Sequence, residues 1–245
     1  MKLYFAGAEA YTDVLLDNKA KILISYAAKD KFDKLNILDR FDDVFLDSGA
    51  FSAYTVGAKI DLDEYIQYIK DHNVKTYANL DVIDDAEGSY KNYKYMVASG
   101  LKPIPVFHCG EDPKYLELYA EDCDYIGLGG VVQLKNELKK LKRFFDLSFS
   151  IVRDKAKIHG LGVNNWELLQ RYPFYSVDAT SWHNPHRYGQ HFNYFEGKLK
   201  RIDGRRVNLY RFQDKTEQLD TAIKELLKAE RYITELWKRR GITYE

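Results

Sequence analysis

Three aspartates stand at the ends of short apolar runs, where an α/β fold places reactive groups. Asp47 follows the run 44–46 directly and precedes a small Ser-Gly-Ala turn, while Asp81 and Asp178 end similar runs further along. Because the carboxyl ends of parallel strands meet at one face of such a fold, we expect these side chains to share one pocket. Grouped carboxylates can act as a nucleophile, as a general acid or base, or as metal ligands. The simpler interpretation, that Asp47 only caps its own turn, suits each aspartate alone better than all three together.

Two histidines and two glycines end other runs of the same kind. These are His108, His159, Gly129 and Gly130. Glycine-rich turns can hold anions through backbone N–H groups, but we favour the other use of glycine, which lets a flat ring approach the backbone closely. His159 and His108 each either belong to the pocket or are buried histidines satisfied within the core. A metal site is the lesser alternative, because barrel metallohydrolases generally carry a His-x-His pair at the first strand, and residues 5–7 are Phe-Ala-Gly.

The elements that must position these residues alternate regularly along the chain. Eight short apolar runs are predicted to be parallel strands separated by helix-sized segments, and they cover residues 3–8, 21–26, 44–47, 76–81, 103–108, 125–130, 157–163 and 174–178. This alternation predicts a single-domain (β/α)8 TIM barrel over residues 1–245, with a doubly wound sheet as the alternative. A long helix over residues 215–240 is predicted to follow, with an apolar stripe on one face and a stop at Gly241.

Composition limits the classes of protein to which the chain can belong. Its 37 Lys and Arg balance 37 Asp and Glu, so the chain is not a polycation and any nucleic-acid surface must be local. Two cysteines are too few for a disulfide scaffold and fit a reducing compartment, so we expect a cytoplasmic protein. We expect no membrane span, since no apolar run approaches the roughly 18 to 20 residues that one needs.

Residues 183–211 break the alternation and are basic and aromatic. They contain seven Lys or Arg against two acidic residues, with tyrosines and phenylalanines between the charges. This pattern is typical of a surface that follows a nucleic-acid backbone. The residues expected to contact that backbone are Arg187, Lys198, Lys200, Arg201, Arg205 and Arg206. We also expect a phosphate contact, rather than a metal, for the histidines of this segment, which are His183, His186 and His191.

Taken in order, the strand-end motifs resemble those of the tRNA-guanine transglycosylase superfamily. The matching pieces are Asp-Ser-Gly-Ala-Phe at 47–51, Asp81, Val-Phe-His-Cys-Gly-Glu-Asp at 106–112, Gly-Leu-Gly-Gly at 127–130, His-Gly-Leu-Gly at 159–162 and Val-Asp at 177–178. They follow the family's order and spacing over residues 44–180. The family is a (β/α)8 barrel that breaks the N-glycosidic bond of a guanine in nucleic acid and installs a 7-deazaguanine.

The resemblance implies a role for each of these residues. Asp178 would be the nucleophile on the sugar C1′, and Asp47 the general acid/base that handles the departing and incoming bases. The residues that would bind the base are Asp81, His108, Gly129, Gly130, His159 and Phe51. His108 stands where the family usually has a glutamine, so the identity of the base is left open.

A second departure from the family concerns the polymer. The tRNA enzymes carry a Cys-rich zinc site after the barrel, whereas the last cysteine here is Cys123 and the basic residues 183–211 occupy that place. Compact, zinc-free relatives resemble enzymes of phages and bacteria that act on DNA. We therefore expect DNA rather than tRNA as the partner, with a free 7-deazaguanine as the second substrate of an exchange, and neither a metal nor a cofactor.

The chemistry can also be argued without the family. Breaking an N-glycosidic bond builds positive charge on the sugar, so a carboxylate beside C1′ stabilises the transition state or bonds to it. A second carboxyl group manages the proton of the base. A base within a duplex must be flipped out, and Phe51 or Tyr54 could stack on it.

These arguments leave several hypotheses about the reaction. The first is exchange of guanine for a 7-deazaguanine in DNA. The alternative is a DNA glycosylase that excises a base with water and leaves an abasic site, for example in phage-host conflict. A non-catalytic nucleic-acid binder and a small-molecule lyase or isomerase on the same barrel remain as further hypotheses.

Overall fold

Eight parallel strands form one curled sheet in the computed structural model, which describes residues 1–131, 134, 137–184, 190–195, 197–203 and 214–243. The strands are β1 (Lys2–Ala6), β2 (Lys21–Ser25), β3 (Val44–Asp47), β4 (Thr76–Tyr77), β5 (Val106–His108), β6 (Tyr125–Gly129), β7 (Lys157–Gly160) and β8 (Ser176–Ala179). They lie in the order β4-β3-β2-β1-β8-β7-β6-β5, and every pair is parallel. The expected strand and helix alternation is confirmed.

Helices connect successive strands and flank the sheet. They are α1 (Thr12–Asp17), α2 (Lys29–Lys34), α3 (Ile37–Arg40), α4 (Ala50–Thr55), α5 (Leu62–Asp71), α6 (Ala86–Ala98), α7 (Pro113–Asp122), α8 (Leu138–Val152), α9 (Trp166–Arg171) and α10 (Lys215–Arg239). Their starts follow from local chemistry. The side chain of Asp61 accepts a hydrogen bond from the backbone N–H of Glu64 at 3.0 Å, which caps α5, and Pro113 occupies the first turn of α7 behind its cap Asp112.

The strands bury apolar side chains on both faces. One cluster, enclosed by the curled sheet, consists of Tyr4, Ala6, Leu23, Phe45, Ala78, Ile104 and Val106. The larger cluster packs between the outer face of the sheet and the helices. Because side chains alternate between the two faces of a strand, residues two positions after the enclosed cluster, such as Asp47 after Phe45, point to the same enclosed side.

The strands at the two ends of the sheet order approach each other just outside their regular parts. Ala78 and Ile104 form an isolated parallel bridge. The backbone N–H of Asn79 donates to the carbonyl of Ile104 at 2.7 Å, and the N–H of Ile104 donates to the carbonyl of Tyr77 at 2.9 Å. The parallel eight-stranded sheet is confirmed, while closure into a full barrel stays a prediction.

Several strand boundaries differ from the prediction, including the end of β7, which falls at Gly160 rather than at residue 163, and the boundaries of β4 and β5. β4 ends at Tyr77 rather than at Asp81, which places Asp81 in the loop beyond the strand. β5 begins at Val106 rather than at residue 103, because Pro103 and Pro105 have no backbone N–H to donate to a neighbouring strand.

Part of the basic segment forms an antiparallel hairpin, β9 (Gln190–Phe195) and β10 (Lys198–Asp203), that rests on α10. The backbone N–H of Tyr194 donates to Glu225 of α10 at 2.7 Å, and the ring of Tyr194 packs against Trp166 and Tyr232. Within the described residues, no helix is both long enough and apolar enough to span a bilayer.

Candidate active site

Asp47 and Asp178 lie on the enclosed side of the sheet, near enough for the charge of Asp178 to act on Asp47. Asp47 is the last residue of β3, and its Oδ2 accepts a hydrogen bond from the backbone N–H of Gly49 at 3.0 Å. Asp178 lies in β8 beside Tyr4 of β1, is 8% exposed, and accepts a hydrogen bond at Oδ1 from the N–H of Gly162 at 2.7 Å. The turn-capping contact of the simpler interpretation therefore exists, and it coexists with the grouping of the aspartates.

The surroundings of Asp47 disfavour its charged form. Burial raises the pKa of Asp47 to about 6, the charge of Asp178 acts in the same direction, and the Gly49 hydrogen bond and the histidines His159 and His108 act against it. A carboxyl group with this pKa is partly protonated near neutral pH, which is the property that a general acid/base needs.

Asp81, His108 and Glu111 form a second ionisable group, near enough to Asp47 for its charge to act on Asp81. Nε2 of His108 lies 3.5 Å from Oδ2 of Asp81, and Nδ1 lies 3.3 Å from Oε1 of Glu111. Glu111 also accepts a hydrogen bond from the backbone N–H of His108 at 2.8 Å. The imidazole is thus held between two carboxyl groups.

The pKa shifts of this group follow from burial and charge. Burial raises the pKa of Asp81 to about 7, and the charges of Asp47 and Glu111 add to the effect, whereas His108 opposes it. Burial alone would lower the pKa of His108, but the hydrogen bond to Glu111 and the charges of Asp81, Glu111 and Asp47 outweigh it, so that pKa is raised. The charge of Asp178 raises the pKa of Asp47, and the charge of Asp47 raises that of Asp81, which brings all three aspartates into one electrostatic unit.

Gly129 and Gly130 lie against His108, and the close approach of a bound base to these glycines stays a prediction. A Cβ at Gly129 would lie 2.7 Å from Cδ2 and 3.0 Å from Nε2 of the imidazole. Gly130 has φ +72°, a conformation that favours glycine, and a Cβ there would lie 3.0 Å from the backbone nitrogen of Cys109. The two glycines therefore make room for His108 beside Asp81.

His159 is fully buried beneath Asp178. Its Nδ1 lies 2.5 Å from the hydroxyl of Ser176, and its ring packs against Phe45 at a centroid distance of 4.6 Å. Nε2 lies 3.4 Å from Oδ1 of Asp178 but has no aligned hydrogen-bond partner. One buried nitrogen of His159 is therefore left without an aligned hydrogen bond, and the choice between a pocket residue and a satisfied core histidine stays a prediction.

The aromatic side chains expected to stack on a base are accessible. Phe51 and Tyr54 lie on α4, which directly follows Asp47 and its turn, and each is 57% exposed. Their spacing of three residues puts them on neighbouring positions of one helical face. Exposed aromatic rings beside a polar pocket are available to a flat ligand.

The basic residues expected to contact a nucleic-acid backbone are described only in part. Lys198 and Lys200 are exposed on β10. The structure describes the backbone but not the side chain of Arg201, and the same holds for His191, while Arg187, His186, Arg205 and Arg206 lie outside the described residues. The phosphate contact expected for His183 is wrong, because His183 is 4% exposed and its Nε2 lies 3.0 Å from the carbonyl of Gly7.

Sequence reasoning missed three polar residues of the pocket. Glu111 carries the contact with His108, Ser176 carries the contact with His159, and Asn79 lies 3.5 Å from Asp81 through its amide nitrogen. Only Ser176 had a signal in the sequence, since it shares one face of β8 with Asp178, whereas Asn79 and Glu111 lie in loops beyond their strands. Within the described part of the chain, no group of three or more His, Cys, Asp or Glu side chains is arranged to hold a metal ion.

The fold and this pocket together define an α/β protein with an enclosed carboxylate and histidine site at the carboxyl ends of its parallel strands. Neither a protein-family model nor a curated protein matches the sequence.

Proposed function

We propose that this protein cleaves the N-glycosidic bond of a flipped base in DNA through a covalent bond to Asp178, and that its reaction is the exchange of guanine for a 7-deazaguanine. One observation carries the proposal. Two carboxyl groups from strands far apart in sequence lie on the enclosed side of the sheet, where burial raises the pKa of Asp47 to about 6 and the charge of Asp178 acts in the same direction. A nucleophile and an acid/base of this kind are what the reaction needs.

In the first step, a carboxylate oxygen of Asp178 bonds to C1′ as the bond from C1′ to the base nitrogen breaks. The electron pair of that bond goes to the departing base, and Asp47 in its protonated form supplies the proton. In the second step, the nitrogen of an incoming base attacks C1′, the carboxylate of Asp178 leaves, and Asp47 takes up the proton. Charge and protons balance over the two steps, and no redox partner is required.

The base would bind between the groups that line the pocket. Protonated Asp81 can donate a hydrogen bond and ionised Asp81 can accept one, and His108, whose Nε2 lies beside Asp81, would complete the base-binding edge. Phe51 and Tyr54, both exposed on the helix that follows Asp47, are suited to stacking on a base that has left the duplex. The exposed Lys198 and Lys200 would contact phosphates on either side of the flipped nucleotide.

The proposal includes the fold and the family. We propose that the sheet closes into a (β/α)8 barrel at the Ala78–Ile104 bridge, whose two backbone hydrogen bonds join the ends of the sheet order. We propose further that the chain is a compact, zinc-free member of the tRNA-guanine transglycosylase superfamily that acts on DNA. The ordered strand-end motifs and the pocket that they form support this assignment.

The test is to trap the covalent intermediate and identify the product. Duplex DNA containing guanine is incubated with the protein, with and without a 7-deazaguanine, and analysed by denaturing electrophoresis and by mass spectrometry of the DNA. We expect a covalent complex and incorporation of the supplied base. Asp178→Asn should abolish both, whereas Asp146→Asn, which neutralises an exposed carboxylate of α8, should leave both unchanged.

Other products would point to other functions. Abasic sites formed without added base would replace exchange by hydrolytic excision. Absence of a complex and of any change in the DNA, with DNA binding retained in Asp178→Asn, would favour a non-catalytic binder and contradict the proposal.

A further inference from the structure

A hydrogen-bond chain of polar side chains leads from the partly buried Tyr125 to the buried nucleophile of the proposal, Asp178. The hydroxyl oxygens of Tyr125 and Ser176 lie 2.5 Å apart, and the Ser176 oxygen lies 2.5 Å from Nδ1 of His159. Nε2 of His159 lies 3.4 Å from Oδ1 of Asp178, which also accepts the N–H of Gly162 at 2.7 Å. The members come from the adjacent strands β6, β7 and β8, which hold them on the enclosed side of the sheet.

The position of each hydrogen in this chain follows from counting donors and acceptors. Among the described residues, Tyr125 has no acceptor for its hydroxyl hydrogen other than Ser176. When Tyr125 donates to Ser176, the hydroxyl hydrogen of Ser176 has only Nδ1 of His159 left as its acceptor. Nδ1 is then an acceptor without a hydrogen, so the ring hydrogen of His159 lies on Nε2.

The tautomer with its hydrogen on Nε2 also explains the ring nitrogen of His159 that has no aligned hydrogen bond. Nε2 is the buried ring nitrogen without an aligned partner, and it faces a carboxylate oxygen that can only accept. A bare Nε2 would set two lone pairs against each other at 3.4 Å, whereas Nε2–H is attracted to Oδ1 and needs only a small movement to donate to it. Packing of the His159 ring against Phe45 keeps the imidazole in the required plane.

We infer that His159 is a positioning residue for the nucleophile, held as the Nε2–H tautomer by Ser176 and Tyr125. The inference rests on the proposed function of Asp178. His159 Nε2–H and the N–H of Gly162 both engage Oδ1, and no described residue donates to Oδ2. Oδ2 is therefore the oxygen that bonds to C1′, and the two donors on Oδ1 hold the carboxylate in the orientation for attack.

The first test measures the tautomer and does not depend on activity. The protein is labelled with ¹⁵N in its histidine rings, and the signals of His159 are assigned by comparison with the His159→Gln variant. We expect Nε2 to carry a hydrogen and Nδ1 to carry none near neutral pH. A hydrogen on Nδ1, alone or together with one on Nε2, would overturn the inference whatever reaction the protein catalyses.

The second test measures the covalent step. Ser176→Ala removes the donor that selects the tautomer, so we expect the single-turnover rate of covalent complex formation at saturating DNA to fall about 10-fold, the effect of one charge-assisted hydrogen bond. The DNA concentration at half saturation should not change, because Ser176 lies beneath the pocket. Tyr125→Phe should slow the same step by a smaller factor.

The controls separate positioning from folding. Ser148→Ala removes another fully buried hydroxyl, which donates to the carbonyl of Phe144 in α8, and Tyr68→Phe removes a tyrosine hydroxyl that donates to Asp33. Neither should alter the covalent step. An equal fall in rate for Ser148→Ala and Ser176→Ala, or no fall for Ser176→Ala, would overturn the inference. If wild-type protein forms no covalent complex, the proposed function fails, and the tautomer measurement still decides the hydrogen-bond chain.

Discussion

Nε2 of His108 lies 3.5 Å from Oδ2 of Asp81, so the protonation of the imidazole and that of the carboxyl group depend on each other. Burial raises the pKa of Asp81 to about 7, which means that the folded protein holds a proton there that the unfolded chain loses near pH 4. Between these pH values the folded state binds more protons, and this group lowers the free energy of unfolding as the pH rises.

Asp81→Asn should remove that pH dependence. We expect the variant to gain stability relative to the wild type between about pH 5 and about pH 8, by up to roughly 2 kcal/mol. Denaturant unfolding at several pH values measures the difference. The wild type and the variant share their other titrating groups, such as the Met1 amine, whose pKa burial lowers to about 5. The contributions of those groups to the pH dependence therefore cancel in the difference. Asp146→Asn is the control, because hydrogen bonds from Tyr172 and Arg171 keep the pKa of that carboxyl group low. Its difference in stability from the wild type should therefore not depend on pH over this range. The same lack of pH dependence for Asp81→Asn would contradict the prediction.

Gly129→Ala should displace the imidazole of His108. The added Cβ would lie 2.7 Å from Cδ2 of His108 and 3.0 Å from a methyl group of Val106. We expect a loss of stability of about 1–3 kcal/mol, as for other overpacked sites. The pKa of His108, measured by NMR titration, should fall as the ring leaves the carboxyl groups. Gly57→Ala is the control, because a Cβ there meets no atom within 4 Å and strains only the backbone. We expect the titration of His108 to be unchanged in that variant. An unchanged titration in Gly129→Ala as well would refute the contact between Gly129 and His108.

Lys198→Ala combined with Lys200→Ala should weaken DNA binding and reduce its salt dependence. Both side chains are exposed on the hairpin, and loss of two phosphate contacts lowers the slope of log affinity against log salt by about 2. Fluorescence anisotropy over a range of salt concentrations measures the slope. Lys31→Ala with Lys34→Ala removes two exposed lysines of α2 and should leave it unchanged. Equal slopes for both pairs would exclude the hairpin from the DNA interface.

Glu230→Ala should destabilise the fold, because Glu230 ties α10 to the sheet. Its Oε1 accepts the backbone N–H of Leu3 and the ammonium group of Lys21, each at 2.9 Å. Leaving these donors unpaired should cost about 2–3 kcal/mol, measured by denaturant unfolding. Glu230→Gln keeps an acceptor oxygen and should cost about 1 kcal/mol. Glu235→Ala, on an exposed position of the same helix, should change little, and a similar loss there would remove the special role of Glu230.

The strands, their order and the ends at which Asp47 and Asp178 stand could be predicted from the sequence. Apolar runs followed by a polar residue are local signals, because a strand buried on both faces needs about five consecutive apolar residues. The helix starts at Asp61 and Asp112 were predictable for the same reason, since capping involves neighbours in the chain. Asp81 marks the limit of such signals, because the strand before it ends four residues earlier than its apolar run suggests.

Only the tertiary structure decided which of these groups act on one another. Three sets of contacts depend on which strand face is enclosed and on how adjacent strands are aligned. They are the contact of Glu111 with His108, the packing of the His108 ring on Gly129, and the hydrogen bonds from Tyr125 through Ser176 to His159. A change of one residue in alignment would turn those side chains to the other face. The sequence by itself determined that acids and histidines end parallel strands; the curvature of the sheet brought them within reach of one another, because contacts between distant segments depend on the packing of the whole chain.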